Sequence, residues 1–214
     1  MTARTSAVLL AFALASRPLQ GQVWHNVGGS ATAAMLRFRS AASFGGEALS
    51  GPAAGAQARL VLGQVAVEGA YLQGHLTPDT GSTAARDLAD ATVFLVVRPV
   101  RWVALKAGPH LRAYITPGGN ERWMLWELRA RLTGELVPGR LRTHFEAWVA
   151  ASADVNVDPG ASGAQGGEAG LTLVPTRSPL WVRLAYTFDR EKMKNGTRSE
   201  SLEALVLSVG FGGR

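Results

Sequence analysis

Apolar and polar residues alternate along most of this chain in segments about ten residues long. Met35-Leu-Arg-Phe-Arg-Ser40, Trp126-Glu-Leu-Arg-Ala-Arg-Leu132 and Thr143-His-Phe-Glu-Ala-Trp-Val149 are examples. A period of two sends neighbouring side chains to opposite faces of an extended backbone, so each segment has one oily face and one charged face. The pattern predicts ten strands, at roughly 33–44, 55–63, 65–76, 88–98, 101–115, 122–137, 140–155, 166–174, 180–189 and 200–212. Short connections fall at Gly63-Gln64, Pro99-Val-Arg101, Pro138-Gly139 and Pro175-Thr-Arg-Ser-Pro179. Longer ones, rich in turn formers, fall near about 45–54, 77–87, 116–121, 156–165 and 190–199. Short and long connections in alternation predict an all-β, up-and-down antiparallel transmembrane β-barrel of ten strands, or of eight if the second and third are one. An even count puts both ends of the barrel on the short-turn side, the periplasmic side of such a barrel.

Residues 1–22 read as a cleaved signal peptide, leaving 23–214 as one barrel domain. Arg4 gives the positive start, Ser6 to Ala15 the apolar core, and Ala13-Leu-Ala15 the small-x-small cleavage pattern. That run is too short to cross a bilayer as a helix, which takes about 20 apolar residues. The chain has no cysteine, which excludes disulfides and thiolate chemistry. The formal charge of +6 falls to +4 once Arg4 and Arg17 are set aside. The bases alternate with acids, which argues against a nucleic-acid partner.

Assigning alternate residues to lipid gives an outer set that includes Leu36, Phe38, Leu60, Leu62, Val93, Leu95, Leu105, Leu111, Trp126, Leu128, Phe145, Val149, Leu171, Leu173, Leu184 and Phe188. An ionised group there costs about 2–4 kcal/mol at mid-membrane, so the face has to be apolar. Tyr71, Trp126, Tyr186, Phe188 and Phe211 supply aromatic girdles, while Trp102, Trp123, Trp148 and Trp181 fall on the inward parity. The inward set carries Arg37, Arg39, Arg59, Lys106, Arg112, Arg129, Arg131, Arg142 and Arg183 against Glu68, Asp90, Glu127, Glu135, Glu146, Asp154, Glu168 and Asp189. Paired charges offset most of the desolvation that a narrow lumen imposes, so a plugged lumen is expected. A two-residue turn at Pro138-Gly139 would set Glu135 opposite Arg142, Thr133 opposite His144 and Arg131 opposite Glu146.

The chain resembles small bacterial outer-membrane β-barrels over about 31–214, a general resemblance carried by the alternation and by the last strand. Ala204-Leu-Val-Leu-Ser-Val-Gly-Phe211, with Leu205, Leu207, Val209 and Phe211 alternating outward, resembles the terminal signal read by the barrel-assembly machinery. The family pattern ends on the aromatic residue, whereas Gly212-Gly-Arg214 follows it here. The resemblance implies a monomer in the outer membrane of a Gram-negative-type bacterium, contacting membrane lipid and lipopolysaccharide. The expected role is an envelope scaffold, a surface-loop binder or a narrow, porin-like pore.

One constellation suggests chemistry. Turns at Pro99-Val-Arg101 and Gly118-Gly119 would set His110 opposite both Asp90 and Glu127, and carboxylates flanking an imidazole suit general-base catalysis. This loosely resembles the omptin proteases, ten-stranded barrels with Asp and His at the outer mouth, though no omptin motif is present. An outer-membrane hydrolase using Asp90, His110 and Glu127 is therefore the first alternative, and a soluble exported ligand-binding barrel the second. No outward His stands beside an outward Ser, as a lipid-A deacylase would need. No spacing suggests a metal or a cofactor. Arg190, Lys192, Lys194 and Arg198, in the basic segment around Asn195-Gly196, are candidates for contact with lipopolysaccharide phosphates.

Overall fold

The computed structural model describes residues 27–42, 45–79, 84–176, 178–196 and 198–212, so the expected signal peptide at 1–22 lies outside the described residues. Ten strands follow one another: β1 (Val27–Ala42), β2 (Gly45–Leu62), β3 (Val65–Pro78), β4 (Arg86–Val100), β5 (Val103–Thr116), β6 (Gly119–Val137), β7 (Leu141–Val155), β8 (Ala161–Leu173), β9 (Leu180–Met193) and β10 (Arg198–Phe211). Each pairs antiparallel with its neighbours in the chain, and β10 closes the ring on β1, from Gly29 opposite Phe211 to Ala42 opposite Arg198. Closure leaves no unpaired edge, which is what lets a sheet sit in lipid. β1 begins and β10 ends at the same rim, here the near rim; the opposite one is the far rim.

The expected loop at 45–54 is strand. Its Gly, Ala, Ser and Pro content reads as turn, yet the whole of β1 pairs along it, from Val27 opposite Leu60 to Ala42 opposite Gly45. Ring closure supplies a partner on both sides and overrides local preference. Pro52 is accommodated where pairing with β3 lapses between Ser50–Thr77 and Ala53–Gly74. At Gly51 a side chain would run into the carbonyl of His75, so only glycine allows this approach. Strand extension also shortens the other long connections: β5 turns into β6 over Pro117-Gly118, and β9 reaches β10 through a single 3-10 turn at Lys194–Gly196.

The outer wall is an apolar belt. Leu62, Val93, Leu95, Leu105, Trp126, Leu128, Phe145, Val149, Leu173, Leu184, Leu207 and Phe211 are all exposed on it. β1 corrects the expectation. Leu36 and Phe38 are buried in the lumen, whereas Arg37 and Arg39 stand on the outer wall. Period two fixes which residues share a face but not which face is the lumen, and here an apolar lumen patch claims the oily side. Asp154 also points outward rather than inward. Trp126 faces Ser152 but Glu127 faces Ala150, so β7 carries an extra residue and its parity flips beyond it.

Inside, the far half of the lumen is packed with Leu36, Phe38, Leu49, Leu76, Leu88, Tyr114, Trp123, Leu125 and Trp148. Phe38 and Tyr114 stand four strands apart round the ring, yet their rings meet at 4.9 Å between centroids. Small residues make room for the large ones: at Gly166 a side chain would collide with the indole of Trp148. The inward parity of Trp123 and Trp148 therefore serves a lumen filled by aromatics.

Candidate functional site

The charged side chains of the lumen run from the near rim up into this apolar packing, with further ion pairs near the far rim. The turn after β6 sets the predicted register: Arg131 faces Glu146, Thr133 faces His144 and Glu135 faces Arg142. Arg131 Nε lies 2.7 Å from Glu146 Oε2, and Arg142 Nε 3.3 Å from Glu135 Oε1. Lys106 on β5 bridges Glu68 at 2.9 Å and Glu146 at 3.1 Å. Arg59 reaches Glu68 at 3.5 Å, and Arg183 reaches Glu168 at 3.6 Å. Arg129 binds Glu127 and Glu146, and its guanidinium lies 4.6 Å from the Phe94 ring centroid.

Arg112 is the long bolt. From β5 it crosses the lumen to β9, donating to Asp189 at 2.6 Å and Glu191 at 2.5 Å, while its Nε donates to Asp90 at 2.7 Å. A second crossing near the far rim joins Arg198 of β10 to Glu121 of β6 at 3.0 Å. Arg198 therefore faces inward, with Glu200 beside it, and not outward toward lipopolysaccharide as expected. Glu121 and Glu191 were missed because their segments read as loops, and Glu200 because it stood at the very start of the last predicted strand. Continuing the inward parity of Asp189 would have found Glu191.

Asp90, His110 and Glu127 do meet, but not by the expected pairing. Asp90 faces Arg112, and His110 faces Thr92 and Leu125. Both turns are offset by two residues, which preserves the face, so the three side chains meet diagonally. His110 Nε2 lies 2.9 Å from Asp90 Oδ2, and Nδ1 lies 2.6 Å from Glu127 Oε1. The imidazole is 2% exposed. A carboxylate stands against each ring nitrogen, so the imidazole bridges two acids within the lumen. The arrangement is a buried charge relay between Arg112 and Arg129, with the chemistry of a strut.

On the outer wall, Arg39 and Arg190 flank Ser201 of β10 from either side, with Lys192 next to Ser199 and Arg37 next to Glu203. Arg39 pairs with Glu203 at 3.2 Å, and Tyr186 donates its hydroxyl to the same carboxylate at 2.9 Å. Arg190 and Lys192 are exposed, and Lys194 is exposed in the adjoining turn. Val27 to Arg37 covers ten residues, which for strands tilted about 40° amounts to a climb of about 25 Å, the height of the apolar band of a membrane barrel. The basic row therefore sits at the top edge of the belt.

A closed antiparallel ring with an oily outer wall and a packed lumen defines a transmembrane β-barrel. No protein-family model and no curated protein matches the sequence. Among solved structures, the translocator domain of the autotransporter NalP from Neisseria meningitidis aligns with 96% of this chain and 94% of its own, at 11% identity and a TM-score of 0.44. Neisserial surface protein A aligns with 86% of this chain and 96% of its own, at 11% identity and a TM-score of 0.37. The attachment invasion locus protein Ail of Yersinia pestis covers 87% and 98%, again at 11% identity and a TM-score of 0.37. The likeness is to bacterial outer-membrane barrels in general, at the level of architecture.

Proposed function

We propose that this chain is an integral outer-membrane barrel of a Gram-negative-type envelope that offers no path through its lumen, with its near rim in the periplasm. It works through its outer wall, as a scaffold element held in the lipopolysaccharide leaflet. The observation that carries this reading is the pair of crossings that bolt opposite walls together, Arg112 to Asp189 and Glu191, and Phe38 to Tyr114. A lumen spanned by side chains from both walls excludes hydrated ions. Among the described residues, the far-rim connections after β5 and β7 are two and five residues long, which argues against the surface-loop reading. The belt supports residence in lipid, and the outward Arg37, Arg39, Arg190 and Lys192 support contact with phosphates of the outer leaflet.

Planar-bilayer recording on the refolded barrel tests the reading. A flat baseline at voltages where known porins conduct is the expected result. Unitary current steps in the unaltered protein would overturn it in favour of a narrow pore.

A further inference from the structure

Near the rim where β1 begins and β10 ends, the lumen opens into a cavity of about 170 Å³. Five arginines line it, Arg59, Arg98, Arg131, Arg142 and Arg183, against one lining carboxylate, Glu68. The acids nearby are already shared among several cations. Glu68 serves Arg59 and Lys106, and Glu168 serves Arg131, His144 and Arg183. Arg142 depends on Glu135, which is half exposed at the rim. Arg98 forms no ion pair among the described residues; Arg59, Arg131 and Arg142 lie within its electrostatic reach, and Glu68 is the one carboxylate among its electrostatic neighbours. In the lining, Arg142 Nε, Arg183 Nε and Ser30 Oγ are buried without a hydrogen-bond partner. Positive charge is thus concentrated in a walled pocket, where low-dielectric sides focus the field and guanidinium forks suit oxyanions.

We propose that this vestibule binds a compact multivalent anion of the phosphate class, entering from the near rim. Arg98 and Arg183 would meet the anion, with Arg142 completing the cradle and Ser30 donating its hydroxyl. The compartment that supplies the anion, the periplasm, rests on the orientation proposed above; the binding itself does not. Inorganic phosphate, pyrophosphate and phosphate monoesters share this chemistry, so the test includes all three.

Isothermal titration of the refolded full-length barrel in zwitterionic detergent at low salt, with sodium phosphate, pyrophosphate and glycerol phosphate in turn, measures the site. The expected result is saturable binding of one anion per barrel, strongest for pyrophosphate and weakened with rising salt. Arg98→Gln, which breaks no ion pair, should weaken it at least tenfold, and Arg183→Gln likewise, with Arg183→Lys restoring part. An Arg101→Gln variant, changed at an exposed turn arginine outside the cavity, should bind as the parent does. Heat-modifiable gel mobility reports folding for each. Absence of saturable heat with all three anions would overturn the proposal. So would binding that survives Arg98→Gln and Arg183→Gln, or that is lost equally in Arg101→Gln. Conductance of the barrel bears on the proposed function and not on this result.

Discussion

At the scale of the residue, the lumen network shows why a buried charge is tolerable only in company. His110 joins two carboxylates, but each has a second cation, Arg112 for Asp90 and Arg129 for Glu127. Replacing His110 with alanine leaves both acids partnered, and the expected loss is about 1–3 kcal/mol, the order of an unmade buried hydrogen bond. Arg112 has no such backup. Its removal leaves Asp189 with only the Trp148 indole N–H and takes the sole ion pair of Glu191 among the described residues, so Arg112→Ala should cost more, about 3–5 kcal/mol, as broken buried pairs do. Urea unfolding in detergent, followed by tryptophan fluorescence, ranks the two. Equal losses would mean that Arg112 holds the network together no more than His110 does. This triad was legible in the sequence as a shared face. Its register was not, because the tightness of each turn decides the offset and Gly-rich segments fit several turn types equally well.

At the scale of the strand, β9, β10 and β1 carry a division of labour along their outer faces. Leu205, Leu207, Val209 and Phe211 lie in the belt, while Ser199, Ser201 and Glu203 continue the same face above it, between Arg39 and Arg37 on one side and Lys192 and Arg190 on the other. Each cation near an anionic lipid surface contributes about 1 kcal/mol, so losing two corresponds to about a thirtyfold change. Arg39→Gln/Arg190→Gln should therefore weaken binding of fluorescent lipid A to the detergent-solubilised barrel by about that factor, and less at high salt. Unchanged binding would remove the row from any role at the leaflet. Half of this row was visible beforehand, in Arg190 and Lys192. The other half was hidden because Arg37 and Arg39 alternate with Leu36 and Phe38, and in a barrel whose lumen is itself oily in places, polarity alone does not tell inside from outside. The bulge that turns Asp154 outward defeats parity in a second way, since nothing in Ala150-Ala-Ser-Ala153 announces an extra residue.

At the scale of the whole molecule, strand number and closure followed from the ten-residue rhythm, because backbone pairing in lipid leaves few alternatives, and the register of β6 on β7 followed too, although the turn there spans 138–140 and not the two residues expected. The filling of the lumen did not follow as fully. Charge balance along the chain suggested an ionic plug, whereas the far half is stoppered by aromatics and leucines as well, with ion pairs of Arg112 and Arg198 among them and the Arg131–Glu146 pairs below. A barrel lacking Arg131 and Glu146 should therefore remain silent in planar bilayers, because the stopper above is untouched. Current steps in that double variant would place the occlusion in the ionic layer instead.

The ring closure has one more consequence. β1 and β10 are neighbours like any other pair, and their ladder of fourteen facing residues, Gly29–Phe211 to Ala42–Arg198, is as complete as any ladder in the wall. Geometrically the cylinder has no first stave, and the order in which the strands are synthesised leaves no mark on the finished wall. Joining the near-rim ends of β10 and β1 with a short linker, and opening the chain at Gly63-Gln64 on the same rim, should yield a permuted barrel of the same gel mobility and heat resistance. It would then present an internal strand at its carboxyl end to the assembly machinery. If the permutant folds in detergent but fails to insert in cells, the last strand serves as an address for assembly and adds nothing special to the wall.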